Sequence, residues 1–315
     1  MLPATVSGRT SPPNRVPWIT MTIDAPHTAL VLEGGGMRAS YTAAVVDRLL
    51  AEDVRFGWVG GISAGATHTI NYLSGERERA RHSFVDFAAD PQFGGMTSLL
   101  RGRGYFNAEY IYGRAPTLNL PGPLDYEAIA HHPADFRIGA VQAHSGRSVY
   151  WGRQDIDDSE ALLARARASS TLPLLMPLPE IDGVSYVDGA LGPSGGIPLD
   201  AAEADGYTRF FVVLTHPRGY TKTPIKRPGL LRNLLSDYPV VAERLITRHT
   251  RYNRTIARLL ELEKQGRAYL FFPTGRLVAS TELNGKKLQG SFDRGALQSA
   301  REWPQWRRFL EAEGA

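Results

Sequence analysis

From residue 28 onward the chain alternates between two hydrophobic patterns. Thr28 to Leu32 is a short apolar run, and Tyr41 to Leu50 carries apolar residues at helical spacing (Tyr41, Ala44, Val45, Leu49). Arg55 to Val59 reads as a second strand and Ala64 to Leu73 as a second helix. Strand, helix, strand, helix at this spacing predicts an α/β fold with a parallel sheet and right-handed crossovers. Further strands are expected at Phe136 to Gln142, Ser148 to Trp151, "GVSYVD" and "RFFVVLT", with a helix at Ser159 to Ala168. One long basic amphipathic helix is expected over Pro239 to Glu263, then strand character in "RAYLFFPTGRLVAS" and a helical tail. Residues 91 to 123 break the alternation. They are rich in Gly, Pro and aromatics, and predict a long surface excursion able to act as a lid over a site.

The first 26 residues carry Pro, Ser and Thr without periodicity and are expected to be disordered, with Met21 an alternative start. The catalytic unit is then expected over residues 27–215, with a C-terminal extension over 216–315 packed on it. No repeat or linker divides the chain.

Composition narrows the chemistry. The 315 residues are 43% hydrophobic, enough for a large core, and include no cysteine. Thiolate catalysis, disulfides and Cys-based metal sites are therefore excluded. No window approaches the ~20 apolar residues of a membrane span, and the N-terminus lacks a signal-peptide core, so a soluble cytoplasmic protein is expected. The net charge of +4 is uneven: Arg218 to Arg258 holds ten Lys/Arg against Asp237 and Glu243. That segment is either a solvated helix face or a peripheral contact with an anionic membrane; nucleic acid is not the expected partner.

Two glycine motifs carry the candidate chemistry. "LVLEGGGMRAS" runs from an apolar strand into Gly34, Gly35 and Gly36. Gly34, Gly36 and Ala39 formally satisfy a dinucleotide fingerprint, but that fold needs an acid at the end of the second strand. Glu52 and Asp53 precede that strand, which ends instead in Gly60-Gly61. A Walker-type loop fails too, since no Gly-Lys-Ser/Thr follows. The second motif, Gly61-Ile62-Ser63-Ala64-Gly65, is a G-x-S-x-G pentapeptide at a predicted strand-to-helix junction, the context that a nucleophilic serine turn requires. In parallel βαβ units both loops open on one edge of the sheet. The bare backbone of Gly34 to Gly36 is thus expected to face the Ser63 hydroxyl and to hold an oxyanion.

Serine needs a base. One candidate is His216, which with Ser63 and Asp188 gives an α/β-hydrolase order, although a single strand before the serine strand is few for that fold. The other is Asp188 itself, at the end of an apolar strand against Gly189. A third reading keeps the protein as an inert, basic, lipid-surface-binding module with a decayed site.

Taken together, Gly34-Gly35-Gly36-Met37-Arg38, the G-x-S-x-G at 61–65 and Asp188-Gly189, in that order, resemble the patatin-like phospholipases. "ASSTLPLLMP" (168–177) and "IPL" (197–199) extend the resemblance, which covers about residues 28–215 and is strongest with the bacterial branch that carries a C-terminal extension. It implies a three-layer α/β/α fold with a mainly parallel central sheet, and a serine-dependent lipid acyl hydrolase of phospholipase A or carboxylesterase type. It implies a Ser63–Asp188 dyad, an oxyanion hole of Gly34, Gly35, Gly36 and Arg38, with Ala64 N–H able to add to it, and a nucleophile elbow framed by Gly61 and Gly65. It implies no cofactor and no metal, and an ester or lipid substrate. Two positions depart from the family pattern, Ala39 and Ala190, where Gly is frequent.

Overall fold

The apolar runs become strands whose successive side chains go to opposite faces, and helices cover both faces. The computed structural model describes residues 22–114 and 124–313. Among these, the strands are β1 (Ile23–Leu32), β2 (Val54–Ile62), β3 (Asp135–Gln142), β4 (Ser148–Trp151), β5 (Glu180–Ile181), β6 (Val184–Asp188), β7 (Arg209–Val213) and β8 (Ala268–Phe271). They form one sheet in the order β5-β6-β3-β2-β1-β7-β8, with β4 also paired to β3. From β3 to β8 along that order all neighbours are parallel; β4, β5 and β6 add antiparallel pairings at one edge.

The principal helices are α1 (Ala39–Ala51), α2 (Ala64–Leu73), α3 (Ser159–Ser170), α4 (Pro239–Ile246), α5 (Arg248–Lys264) and α6 (Gly285–Glu311). Leu30, Leu32, Phe211 and Val213 point into a core shared with α1, α2, α3 and α6. Their neighbours Ala29, Val31, Phe210 and Val212 point the other way, into a core with Tyr252, Leu259 and Leu262 of α5. Burial on both faces is why these strands read as continuous apolar runs instead of alternating ones. The result is the three-layer α/β/α arrangement with a mainly parallel central sheet.

Two expectations need correction. The sequence "IDAP" before Thr28 is not part of a disordered tail: Ile23, Asp24 and Ala25 pair with Val54, Arg55 and Phe56, so β1 starts five residues earlier than its apolar run. The rest of the expected tail, residues 1–21, and residues 115–123 of the excursion lie outside the described residues. The helix expected over Pro239 to Glu263 is two helices, broken at Thr247. Arg251 explains the break, because its guanidinium donates to the Arg244 carbonyl, the acceptor that an unbroken helix would offer to the N–H of residue 248.

The basic segment is largely spent inside the molecule. Arg218, Arg232 and Arg258 pair with Glu263, Glu243 and Glu203, and Arg244, Arg248 and Arg251 donate to the carbonyls of Gly146, Gly195 and Gly192. Four of its ten cations, Arg244, Arg248, Arg251 and Arg258, thus tie the extension to residues 146–203 of the catalytic region. Among the described residues no helix is long and apolar enough to cross a membrane.

Candidate active site

β1 and β2 run parallel with Leu32 opposite Gly61, so the loops leaving their C-terminal ends meet at one sheet edge. Ser63 occupies the second loop with φ 58° and ψ −126°, and α2 begins at the next residue. That backbone conformation costs a non-glycine residue on the order of 1–3 kcal/mol. The turn closes because its flanks are bare. A Cβ on Gly61 would lie 2.0 Å from the Gly65 carbonyl oxygen, and one on Gly65 would lie 2.1 Å from that of Leu32. The Ser63 N–H donates to Ser169 Oγ at 2.9 Å, and Ser169 Oγ donates to the Gly139 carbonyl at 2.6 Å. Ser169 thereby pins the turn to β3, a role that nothing in its neighbourhood in the sequence announces.

The glycine loop lies directly against this turn. A Cβ on Gly34 would approach Ser63 Cβ to 3.0 Å and the Ile62 carbonyl oxygen to 2.8 Å. Gly36 has φ +55°, and its Cβ would sit 2.4 Å from the Ser280 carbonyl oxygen. The three glycines are not equivalent as donors. The Gly34 N–H donates to the Gly196 carbonyl at 3.0 Å, whereas those of Gly35, Gly36 and Ala64 meet no acceptor among the described residues. Gly34 is thus a spacer in this arrangement, not an open donor.

Residues outside the glycine run hold it from behind. The Glu33 carboxylate, 2% exposed, accepts the Thr215 N–H and lies 3.2 Å from His216 Nδ1. Burial alone would raise the Glu33 pKa, but His216, Thr215 and Arg38 more than offset it, and the carboxylate stays ionised. Thr215 Oγ1 donates to the Gly34 carbonyl at 3.2 Å, and the Met37 N–H donates to the Ser280 carbonyl at 3.0 Å. Ala39, where the family often has Gly, adopts an ordinary helical conformation (φ −60°, ψ −17°), so alanine costs nothing there.

Asp188 ends β6, which its pairing with Ala140 to Gln142 brings across β3 to the same edge. It is 2% exposed, its Oδ1 accepts the Ala190 N–H at 2.8 Å, and it lines the same cleft as Ser63. Burial pushes its pKa above the ordinary aspartate value, and the Ala190 N–H, Arg248 and Ser63 only partly counter this. His216 has no such place. Its partner is Glu33, its ring stacks on Tyr220 at 4.0 Å, and no hydrogen bond joins it to Ser63 or Asp188.

Ser63, Asp188 and Gly34 to Arg38 form the polar end of a cleft with a cavity volume of about 220 Å³. Much of its remaining wall is apolar and aromatic, including Phe84, Phe87, Phe93, Phe106, Ile111 and Met176, with Thr67, Asn71, Arg79, Ser83 and Ser170 among its polar residues. Phe93, Phe106 and Ile111 come from the Gly-, Pro- and aromatic-rich excursion, whose described part is therefore a wall of the cleft.

Residues 30–202 match the family model for patatin-like phospholipase. The chain belongs to the patatin-like phospholipase family. Residues 238–311 match a second family model, a domain of unknown function (DUF6363). The uncharacterized protein YjjU of Escherichia coli strain K12 is 27% identical over 207 residues, covering 62% of this chain and 54% of YjjU. The chain thus spans about half the length of that relative. Among solved structures, VipD from Legionella pneumophila aligns with 91% of this chain and 67% of its own, at a TM-score of 0.46 and 10% identity. The patatin-like assignment places the protein in a family of lipid acyl hydrolases. The matched region contains Gly34 to Gly36, Ser63 and Asp188, but it ends before Thr215, Arg248 and Ser280, which also shape the cleft.

Proposed function

We propose that this patatin-like protein hydrolyses carboxylic esters of lipids through a Ser63–Asp188 dyad. The observation that carries the reading is that Ser63 on its strained turn, the buried Asp188 carboxyl and the glycine loop line one cleft whose wall is largely apolar. Asp188 takes the Ser63 proton as Oγ attacks the ester carbonyl. The carbonyl oxygen, now an oxyanion, accepts from the open N–H groups of Gly35 and Gly36, with Ala64 N–H beside them. The tetrahedral adduct collapses, Asp188 returns the proton to the leaving alcohol, and the acyl group stays on Ser63. Water, deprotonated by the same carboxylate, then attacks the acyl-enzyme; the released Ser63 recovers a proton and the fatty acid leaves. A raised pKa makes Asp188 a better base toward an alcohol than an exposed aspartate.

Labelling with a fluorophosphonate tests this directly: the adduct is expected on Ser63 and on no other serine. Replacing His216 with Ala separates the dyad from a histidine triad. We expect kcat to stay within about tenfold of wild type, the loss coming from a looser glycine loop, where removal of a triad base costs roughly 10⁴-fold or more. A Gly36→Ala change should cost more, about 100-fold in kcat measured on a short-chain ester. Its Cβ collides with Ser280 and tilts an open donor away from the oxyanion.

A further inference from the structure

Resting on the hydrolase reading above, we propose that the region matching the domain of unknown function clamps the oxyanion loop, with Gln298 as its positioning residue. Gln298 fixes the loop of residues 272–284, whose Ser280 carbonyl takes the Met37 N–H and leaves those of Gly35 and Gly36 open toward the ester oxygen.

The glycine run is tied at both ends. The Gly34 N–H goes to the Gly196 carbonyl at 3.0 Å, and the Met37 N–H goes to the Ser280 carbonyl at 3.0 Å. The two N–H groups between them, on Gly35 and Gly36, are left without an acceptor among the described residues. The first tie lies inside the matched patatin region, and the second comes from the other matched region, residues 238–311. Gly36 shows how closely the second is fitted: with φ +55°, it passes so near Ser280 that a Cβ would lie 2.4 Å from the same carbonyl oxygen. A carbonyl that decides which donors stay open must itself be fixed. Ser280 lies in a long connection without helix or strand between β8 and α6, so its position has to come from side chains.

Gln298 on α6 supplies that fixity. It is 2% exposed and uses its whole amide. Its Oε1 accepts the Thr274 N–H and hydroxyl at 3.0 Å each and the Tyr41 hydroxyl at 2.6 Å. Its Nε2 donates to the Phe272 carbonyl at 2.8 Å and to Glu302 Oε1 at 2.7 Å. The backbone partners settle the orientation of the amide, since the Thr274 N–H can only donate and the Phe272 carbonyl can only accept. One side chain therefore joins the start of the Ser280 loop, α6, and Tyr41 of α1, the helix that follows the glycine loop. At Gly295 the two helices meet so closely that a Cβ would lie 2.2 Å from the Tyr41 carbonyl oxygen. The far end of the loop is held by Asn284, which caps α6 by accepting the Lys287 N–H at 3.1 Å. The Thr281 carbonyl, beside Ser280, accepts the Tyr105 hydroxyl at 3.0 Å, so the same loop seats the segment that carries Phe106 of the cleft wall. An apolar side chain at 298 would leave the Phe272 carbonyl and the Thr274 N–H without their partner, and the loop would shift toward water to satisfy them.

The test is Gln298→Met, which keeps the bulk of the side chain and loses its hydrogen bonds. On a short-chain ester, kcat is expected to fall about 30-fold, less than for a donor removed outright, with KM within about twofold. The inhibition constant of a trifluoromethyl ketone of the same chain length, whose serine adduct carries the same oxyanion, should rise by a similar factor. Amide exchange followed by NMR gives a readout without catalysis. The Met37 N–H should exchange at least about tenfold faster, while the Gly34 N–H, tied to Gly196, should not change. Thr274→Val spares the backbone bonds and should move kcat and Met37 exchange the same way by about threefold, which decides the matter if Gln298→Met does not fold. Leu310→Val loosens the buried face of the same helix away from the loop, and should lower Tm while moving neither. Unchanged Met37 exchange overturns the clamp. Faster exchange with kcat and the inhibition constant unchanged also overturns it, as does an equal loss of kcat in Leu310→Val, which would leave Gln298 a structural residue. If Ser63→Ala still hydrolysed ester, the dyad would fall while the exchange comparison still decided whether Gln298 clamps the glycine loop.

Discussion

Ser63→Ala is expected to lower ester hydrolysis by at least about 10⁴-fold while leaving the circular dichroism spectrum and Tm near wild type. The expectation rests on how little the hydroxyl contributes to the fold. The turn is held by the Ser63 N–H on Ser169 and by the close approaches at Gly61 and Gly65, none of which involves Oγ. Alanine keeps the Cβ, so the strain at φ 58° remains. Glycine removes it, and Ser63→Gly should be equally inactive yet more stable, by a fraction of the roughly 1–3 kcal/mol that such a backbone stores. Strain kept at one residue, where a less strained alternative exists, is the mark of a site built for chemistry. An active Ser63→Ala enzyme would end the proposal of a serine nucleophile.

What could be read from the chain, and what could not, divides along the range of the interactions. Helix α2 begins and ends at the residues expected from its spacing, because Gly61 to Gly65 mark its start and the apolar period does the rest. The start of β1 is not legible in the sequence because Asp24 and His27 are polar and Pro26 lacks an N–H for a ladder, and only the pairing of Ile23 to Ala25 with β2 reveals it as strand. The break at Thr247 depends on a guanidinium four residues later reaching back to a carbonyl, and no periodicity encodes that. In the site, Ser63, Asp188 and the glycines lie in motifs whose residue types are dictated by local close approach. Ser169, Thr215 and Ser280 act across more than 100 residues and Arg248 across 60, as a single hydroxyl, carbonyl or cation each. Their signal exists only in company: the segment "ASSTLPLLMP" extends the family resemblance, but nothing in it singles out Ser169. The Gly34 donor also needed the structure, since only the position of the Gly196 carbonyl shows that its N–H is taken.

Asp188→Asn is expected to lower kcat/KM by roughly 10³-fold, since Asn can accept the Ala190 hydrogen bond but cannot take the Ser63 proton. Its stability should move the other way. Burial raises the Asp188 pKa in the folded protein above the value it has unfolded. Below the unfolded value both states carry the proton and the charge costs nothing. As pH rises through the unfolded and then the folded value, the buried carboxylate must ionise against its surroundings, and the folded state loses stability that neutral Asn retains. At pH 7, then, the inactive variant should melt at or above the wild-type Tm, and the difference should vanish in acid. The same shift sets the acid limb of activity: kcat/KM should be lost as pH falls through an apparent pKa above that of an ordinary aspartate, and Asp188→Asn should abolish the limb. A variant less stable than wild type at pH 7, with a limb at the ordinary aspartate value, would show that Asp188 is a structural anchor for the Gly189 turn and not the base.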